Sequence, residues 1–140
     1  MTIGVTQLAH VCVFSHDLTA AEAFYVGALG LTKKFNFTKQ GKWVGLYLDC
    51  GARSFVEVFL HDEAPFAKTG AVNHLCLEVA DLPAAVARLR ALGVEVSAPK
   101  YGCDDTWQAW LTDPSGSPVE LFQYTAKSAQ FVGGDREIDW

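Results

Sequence analysis

The chain has 140 residues, half of them hydrophobic and 19% charged, which suits a single globular domain with a real core and excludes a disordered chain. A net charge of −5 with no basic stripe argues against nucleic acid as a partner. No apolar run reaches the length of a membrane span, and the start, MTIGVTQLAH, lacks a basic segment followed by an apolar one, so the expectation is a cytoplasmic protein without a membrane partner.

In chain order, LAHVCVF alternates as a strand does, with His10 and Cys12 on one face and Val11 and Val13 on the other. Asp17 or Thr19 can cap the next helix, and Thr19 with Glu22 fits a capping box. That helix, LTAAEAFYVGAL, aligns Leu18, Ala21, Tyr25 and Ala28 on one stripe and stops at Gly30. Three strands follow, LTKKFNFTK, KWVGLYLDC and SFVEVFLH, broken at Gln40-Gly41 and at Gly51-Ala52-Arg53. After a linker at 62–71, NHLCLEV reads as a strand, Asp81 as a cap, and LPAAVARLRAL as a helix with Pro83 in its first turn and Gly93 at its end. VEVSAPKY, DTWQAWLTD and PVELFQY complete the series, with DPSG at 113–116 as a turn. The four cysteines form no CxxC pair and read as reduced, mostly buried thiols.

This is β-α-β-β-β written twice. Between 8–21 and 72–85, six of fourteen positions are identical, among them His10/His74 and Cys12/Cys76, at an offset of 64. VEVF at 56–59 answers VELF at 119–122, and ALGL at 28–31 answers ALGV at 91–94, both at an offset of 63. One residue has therefore slipped inside or beside the first helix. Repeats of this kind mark paired structural units. The predicted organisation is one domain over 1–140: module one at about 6–61, the linker at 62–71, module two at about 72–125, and a tail at 126–140.

The duplication retains a histidine in each first strand and a glutamate, Glu57 or Glu120, in each last strand. Each glutamate shares its face with aromatic residues, Phe55 and Phe59 in one case and Phe122 and Tyr124 in the other. A carboxylate there is costly to desolvate unless it is paired or bound to a cation, and two converging carboxylates repel. A divalent metal answers both problems. Two imidazoles and two carboxylates suit Ni, Zn, Co, Mn or Fe, and in an octahedral shell they leave two positions for water or substrate.

From about residue 6 to 125 the sequence resembles the vicinal oxygen chelate superfamily, which includes glyoxalase I, extradiol dioxygenases, and fosfomycin and bleomycin resistance proteins. The resemblance rests on LAHVCVFSHDLTAAEAFYVGALGL, FVEVF, NHLCLEVADL and DPSGSPVELFQY. It implies an α+β fold, two paired βαβββ modules forming curled mixed sheets around a metal-binding cavity, and commonly a homodimer, with the site in many members shared across the interface. Carried over by position, it implies His10, Glu57, His74 and Glu120 as metal ligands. That set is most similar to glyoxalase I and implies a lyase or isomerase acting on a small vicinal carbonyl/hydroxyl substrate through a metal-bound enediolate. Glu57 and Glu120 are then the candidates for the base, and the resemblance favours Glu120. The alternatives are an Fe(II) extradiol-type dioxygenase using His10, His74 and Glu120, and a non-catalytic drug- or metabolite-binding protein of bleomycin-resistance type.

The chain departs from glyoxalase I at Phe14, where an arginine for a glutathione carboxylate is usual, so the thiol carrier stays open. Arg53 and Lys100 could hold an anionic group, Trp107 and Trp110 could wall a pocket, and His61 could reach the mouth of the site. Solvated charges and core packing are the simpler readings of these residues.

Overall fold

Val56 and Val58 leave their strand on one side, and Phe55, Glu57 and Phe59 leave it on the other. That period of two separates a buried aliphatic face from a half-exposed one that carries Glu57. The computed structural model describes residues 6, 8–61, 72 and 74–135. The linker expected at 62–71 lies outside the described residues. In chain order the elements are β1 (His10–Ser15), α1 (Leu18–Glu22) continued by a π-helical segment (Ala23–Ala28), β2 (Thr32–Lys39), β3 (Lys42–Gly51), β4 (Ser54–Leu60), β5 (Leu75–Glu78), α2 (Leu82–Ala91), β6 (Lys100–Tyr101), β7 (Trp107–Thr112), β8 (Pro118–Gln123) and α3 (Ala129–Val132).

The strands form two four-stranded mixed sheets, ordered β1-β4-β3-β2 and β5-β8-β7-β6. In each sheet the first and last strands pair in parallel and the remaining pairs are antiparallel. The chain divides into two compact units. The first holds β1–β4 and α1 and takes in the turn Asp113–Ser117; the second holds β5–β8, α2 and α3.

In the first unit Leu18, Ala21, Phe24 and Tyr25 are buried, as are Leu46, Leu48, Val56 and Val58 on the sheet. In the second, Leu82, Val86 and Leu89 of α2 recur at helical spacing and are buried, as are Ala109, Leu111, Val119 and Leu121. Each fully buried leucine contributes about 1.5–3 kcal/mol.

The two helices differ in a way that explains the one-residue slip. From Asp17 to Gly30 the first copy has one residue more than Asp81 to Gly93 in the second. The excess is taken up by the wide π turn, in which the Leu29 N–H reaches the Phe24 carbonyl at 2.9 Å. The wider turn also buries Phe24 beside Tyr25 and leaves Ala28 only half-buried, in place of the regular stripe expected through Ala28.

Capping resolves in favour of the aspartates. The Asp17 carboxylate accepts from the Ala20 N–H at 3.0 Å, and Asp81 accepts from the Ala84 N–H at 2.9 Å. Glu22 makes no capping box; it pairs with the Lys33 ammonium at 2.7 Å. VEVSAPKY yields only the two-residue β6 and one isolated bridge, Val96 to Leu111. Pro99 interrupts it because proline has no N–H to give the ladder. The DPSG turn forms as expected: Asp113 accepts from the Ser115 and Ser117 N–H groups at 3.0 and 2.7 Å.

That turn is also held by Tyr25, which is fully buried and donates its hydroxyl to Asp113 Oδ2 at 2.9 Å. Burial first, and the Asp113 carboxylate second, push the Tyr25 phenol far above its ordinary value. The neutral phenol is thus the form the fold stabilises. Stability from this group is complete below the unfolded value of about 10 and falls as pH rises beyond it. Tyr25→Phe should cost about 1.5–3 kcal/mol at pH 7 and lose this alkaline component, which urea unfolding at pH 7 and at about pH 10.5 would measure.

Gly45 fills a different constraint. A Cβ there would stand 2.6 Å from the Val58 carbonyl oxygen and 2.9 Å from Phe59 Cδ1, so backbone would have to move. Gly45→Ala should lower the urea midpoint by an amount equivalent to about 1–3 kcal/mol.

Candidate functional site

Parallel pairing sets Cys12 opposite Glu57 in the first sheet and Cys76 opposite Glu120 in the second. Each histidine lies two residues before its cysteine and on the same face. His10 Nε2 comes within 3.4 Å of Glu57 Oε1, and His74 Nε2 within 3.2 Å of Glu120 Oε2. In both units the imidazole is at the mouth and the carboxylate beneath it: side-chain exposures are 45% over 18% in the first and 33% over 9% in the second. Among the described residues no group of three or more His, Cys, Asp or Glu is placed to hold a metal ion, and the sequence-predicted quartet is described as two pairs, one within each unit.

The donor geometry suits a divalent ion. Ligands at about 2.1 Å from a metal are about 3.0 Å apart along an octahedral edge and about 3.4 Å along a tetrahedral one. Both N···O separations fall at or between those values. Mixed imidazole and carboxylate donors match the borderline transition metals.

Two further residues belong to this arrangement, and the sequence reading missed one of them. Tyr47 is opposite Glu57 on β3, and Trp110 is opposite Glu120 on β7. Each sets an aromatic ring against its histidine, Tyr47 at 6.1 Å and Trp110 at 4.8 Å, both edge-on. Tyr47 and Trp110 share the offset of 63 that relates the glutamates, so the signal was present as a ring-for-ring match rather than an identity.

The expectation of buried cysteines needs correction. All four thiols are free, but Cys12 and Cys76 are exposed, because they lie on the open face with the histidines rather than on the face against the helix. Partial desolvation against the sheet, then the Glu57 carboxylate, raises the Cys12 thiol. The same causes, with Glu120 as the carboxylate, push Cys76 up to about 12.

The weaker candidates separate. Trp110 shares the face of Glu120, and its indole N–H donates to Gln108 Oε1 at 3.1 Å. Trp107 lies on the opposite parity, edge-on to Tyr101 at 5.0 Å. Lys100 is on the edge strand opposite Gln108, and Arg53 is in the β3–β4 turn with φ of 62°. The His61 ring packs on Phe14 at 4.8 Å, beyond the end of β4. Of the tail expected at 126–140, residues 136–140 lie outside the described residues; in the rest the Ala129 N–H bonds the Asp104 carbonyl at 2.9 Å, and Phe131 packs on Tyr124 at 4.8 Å.

Against known proteins, residues 9–110 match the family model of the Glyoxalase/Bleomycin resistance protein/Dioxygenase superfamily. The chain belongs to that superfamily. Similar solved structures include a glyoxalase family protein from Enterococcus faecalis (24% identity, TM-score 0.71, covering 83% of this chain and 96% of that one). A lactoylglutathione lyase from Agrobacterium tumefaciens is similar too (24%, 0.65, 89% and 96%). So is TnmS3, an antibiotic binding protein from Streptomyces sp. CB03234 (24%, 0.69, 89% and 100%). At these identities the likeness establishes the fold of this superfamily member alone. No curated protein matches the chain.

The thiol–carboxylate contacts can be tested without any metal. Cys76 should alkylate with iodoacetamide at pH 8 far more slowly than an ordinary thiol, since a rise to about 12 cuts its thiolate fraction by orders of magnitude. Glu120→Gln removes the neighbouring negative charge and should speed that alkylation, read site by site by peptide mass spectrometry.

Proposed function

We propose that the protein is a metal-dependent lyase or isomerase of glyoxalase type, in which His10, Glu57, His74 and Glu120 together ligate one divalent transition-metal ion. The observation that carries the reading is the repeated His–Glu pair, at 3.4 Å in one unit and 3.2 Å in the other, on matching strands of a duplicated fold. The proposal requires that one pair from each half meet at a single ion.

Such an ion supplies a Lewis acid that polarises a carbonyl oxygen and so acidifies the adjacent C–H. The protein's share is proton movement and positioning. A glutamate carboxylate takes the proton from the carbon beside the carbonyl and returns it to the neighbouring carbon or to the opposite face. Glu120 is the more deeply seated of the two, with its side chain 9% exposed against 18% for Glu57, and water is better excluded there. The histidines are held edge-on by Tyr47 and Trp110, which limits ring rotation at the nitrogen that faces the carboxylate. The substrate class is a small molecule with a carbonyl and a neighbouring hydroxyl.

Metal analysis by mass spectrometry on protein purified without chelator should find about one transition-metal ion per quartet, with Glu57→Gln and Glu120→Gln binding it more weakly. Exchange of the α-proton of a hydroxy ketone in deuterated water, followed by NMR, should fall about 10²–10⁴-fold in the variant that loses the base. Protein that takes up no metal after soaking would overturn the enzymatic reading and leave a binding protein. Full exchange activity in both variants would overturn the assignment of the base.

A further inference from the structure

The face that carries His10 and Glu57 also carries a connected set of aromatic rings. Phe35 stacks on Tyr47 at 4.9 Å and 14°, Tyr47 on Phe55 at 5.2 Å and 26°, and Phe37 on Phe59 at 4.6 Å and 30°. Phe37 meets Phe35 and Tyr47 edge-on at 5.1 and 6.0 Å, and Tyr47 reaches His10. The set is thus continuous with the His–Glu pair. Gly45 lies between Phe37 and Phe59, at a position where a Cβ would come within 2.9 Å of the Phe59 ring.

These rings are not the core of their unit. Leu46, Leu48, Val56 and Val58 on the other face are at most 1% exposed, whereas Phe35 is 48% exposed and Phe14, on the ring face, 47%. Stacked rings left half in water are a costly surface, and such a surface ordinarily has a ligand or partner. Lys34 is already paired with Asp49 at 3.3 Å, so it does not offer a lone cation beside the rings.

The second unit shows that neither the fold nor the His–Glu pair requires the Phe35 and Phe37 rings. At the offset of 63, Phe35, Phe37 and Gly45 correspond to Ala98, Lys100 and Gln108. The duplication keeps the histidine, cysteine, glutamate and bracing ring in both halves, and Phe122 beside Glu120 answers Phe59, but the stack built from Phe35 and Phe37 on Tyr47 is present in one half only.

We propose, building on the metal-dependent reading above, that this array receives the organic part of the substrate, and that this part is a flat, uncharged aromatic group attached to the two vicinal oxygens. Its ring lies against Phe35 and Tyr47, and its oxygens point toward the His10–Glu57 pair. The array selects by stacking and area, which favour a rigid ring over a flexible charged carrier.

Two probes isolate the ring: α-hydroxyacetophenone and hydroxyacetone carry the same carbonyl and hydroxyl and differ only in phenyl against methyl. Each is titrated by ligand-observed NMR into metal-loaded and chelator-treated protein, for wild type, Phe35→Ala and Glu57→Gln. The phenyl ketone should bind metal-loaded wild type about tenfold tighter or more, and Phe35→Ala should bring that ratio to about two or below. Equal affinities of the two ketones in wild type would overturn the aromatic assignment while leaving the metal reading intact. So would a phenyl preference undiminished in Phe35→Ala. A preference abolished by Phe35→Ala yet indifferent to metal and to Glu57→Gln would uphold the assignment and remove the metal reading. If Phe35→Ala instead converts a dimer to monomers in sedimentation, with no phenyl preference in wild type, the face is an interface between copies and the proposal fails. Should Phe35→Ala not fold, Phe35→Leu keeps the bulk, removes the stacking, and carries the same expected drop in ratio.

Discussion

Parallel pairing between the first and last strands of each unit is the constraint on which the other features depend. A hairpin cannot make it; the chain must leave the first strand, cross over, and return in the same direction. The helix and the two intervening strands are that crossover. Once the return is made, Cys12 stands opposite Glu57 and Cys76 opposite Glu120, and each histidine is within 3.4 Å of a carboxylate. A register slip of one residue would turn both glutamates into the aliphatic core, where an unpaired carboxylate costs more than the unit could sustain.

The strict alternation of the strands divides labour between faces. The aliphatic face, covered by its helix, supplies stability and can be argued residue by residue from burial. The opposite face carries the His–Glu pairs, more exposed in the first unit than in the second, where Glu120 and Phe122 are buried. Aromatic side chains serve both ends: Tyr47 and Trp110 brace histidines, whereas Phe35 and Phe14 stay open to solvent.

Much of this was readable from residue order because the chain states it twice. Two noisy strand patterns at nearly one offset reinforce each other, so the histidines and the glutamates could be placed in their strands, whereas the first helix cap stayed open between Asp17 and Thr19. What escaped depends on tertiary context. Exposure of Cys12 and Cys76 follows from which face is covered, and alternation alone does not say which. Pro99 shortens β6 because ladder hydrogen bonds are a pairwise property that a single strand pattern does not record. Tyr47 was hidden because its counterpart Trp110 is a different residue in the same place.

The π turn at Ala23–Ala28 carries a consequence for comparing the two halves with each other and with relatives. One residue added to a regular α-helix rotates everything after it by about 100° and advances it by about 1.5 Å, which would swing the helix exit away from the next strand. A single wide turn absorbs the insertion locally. Gaps are conventionally placed in loops, and a gap placed there would misalign the second half of the helix by one position. The gap between the two halves belongs inside the helix, where the longer copy holds its extra residue in a regular element.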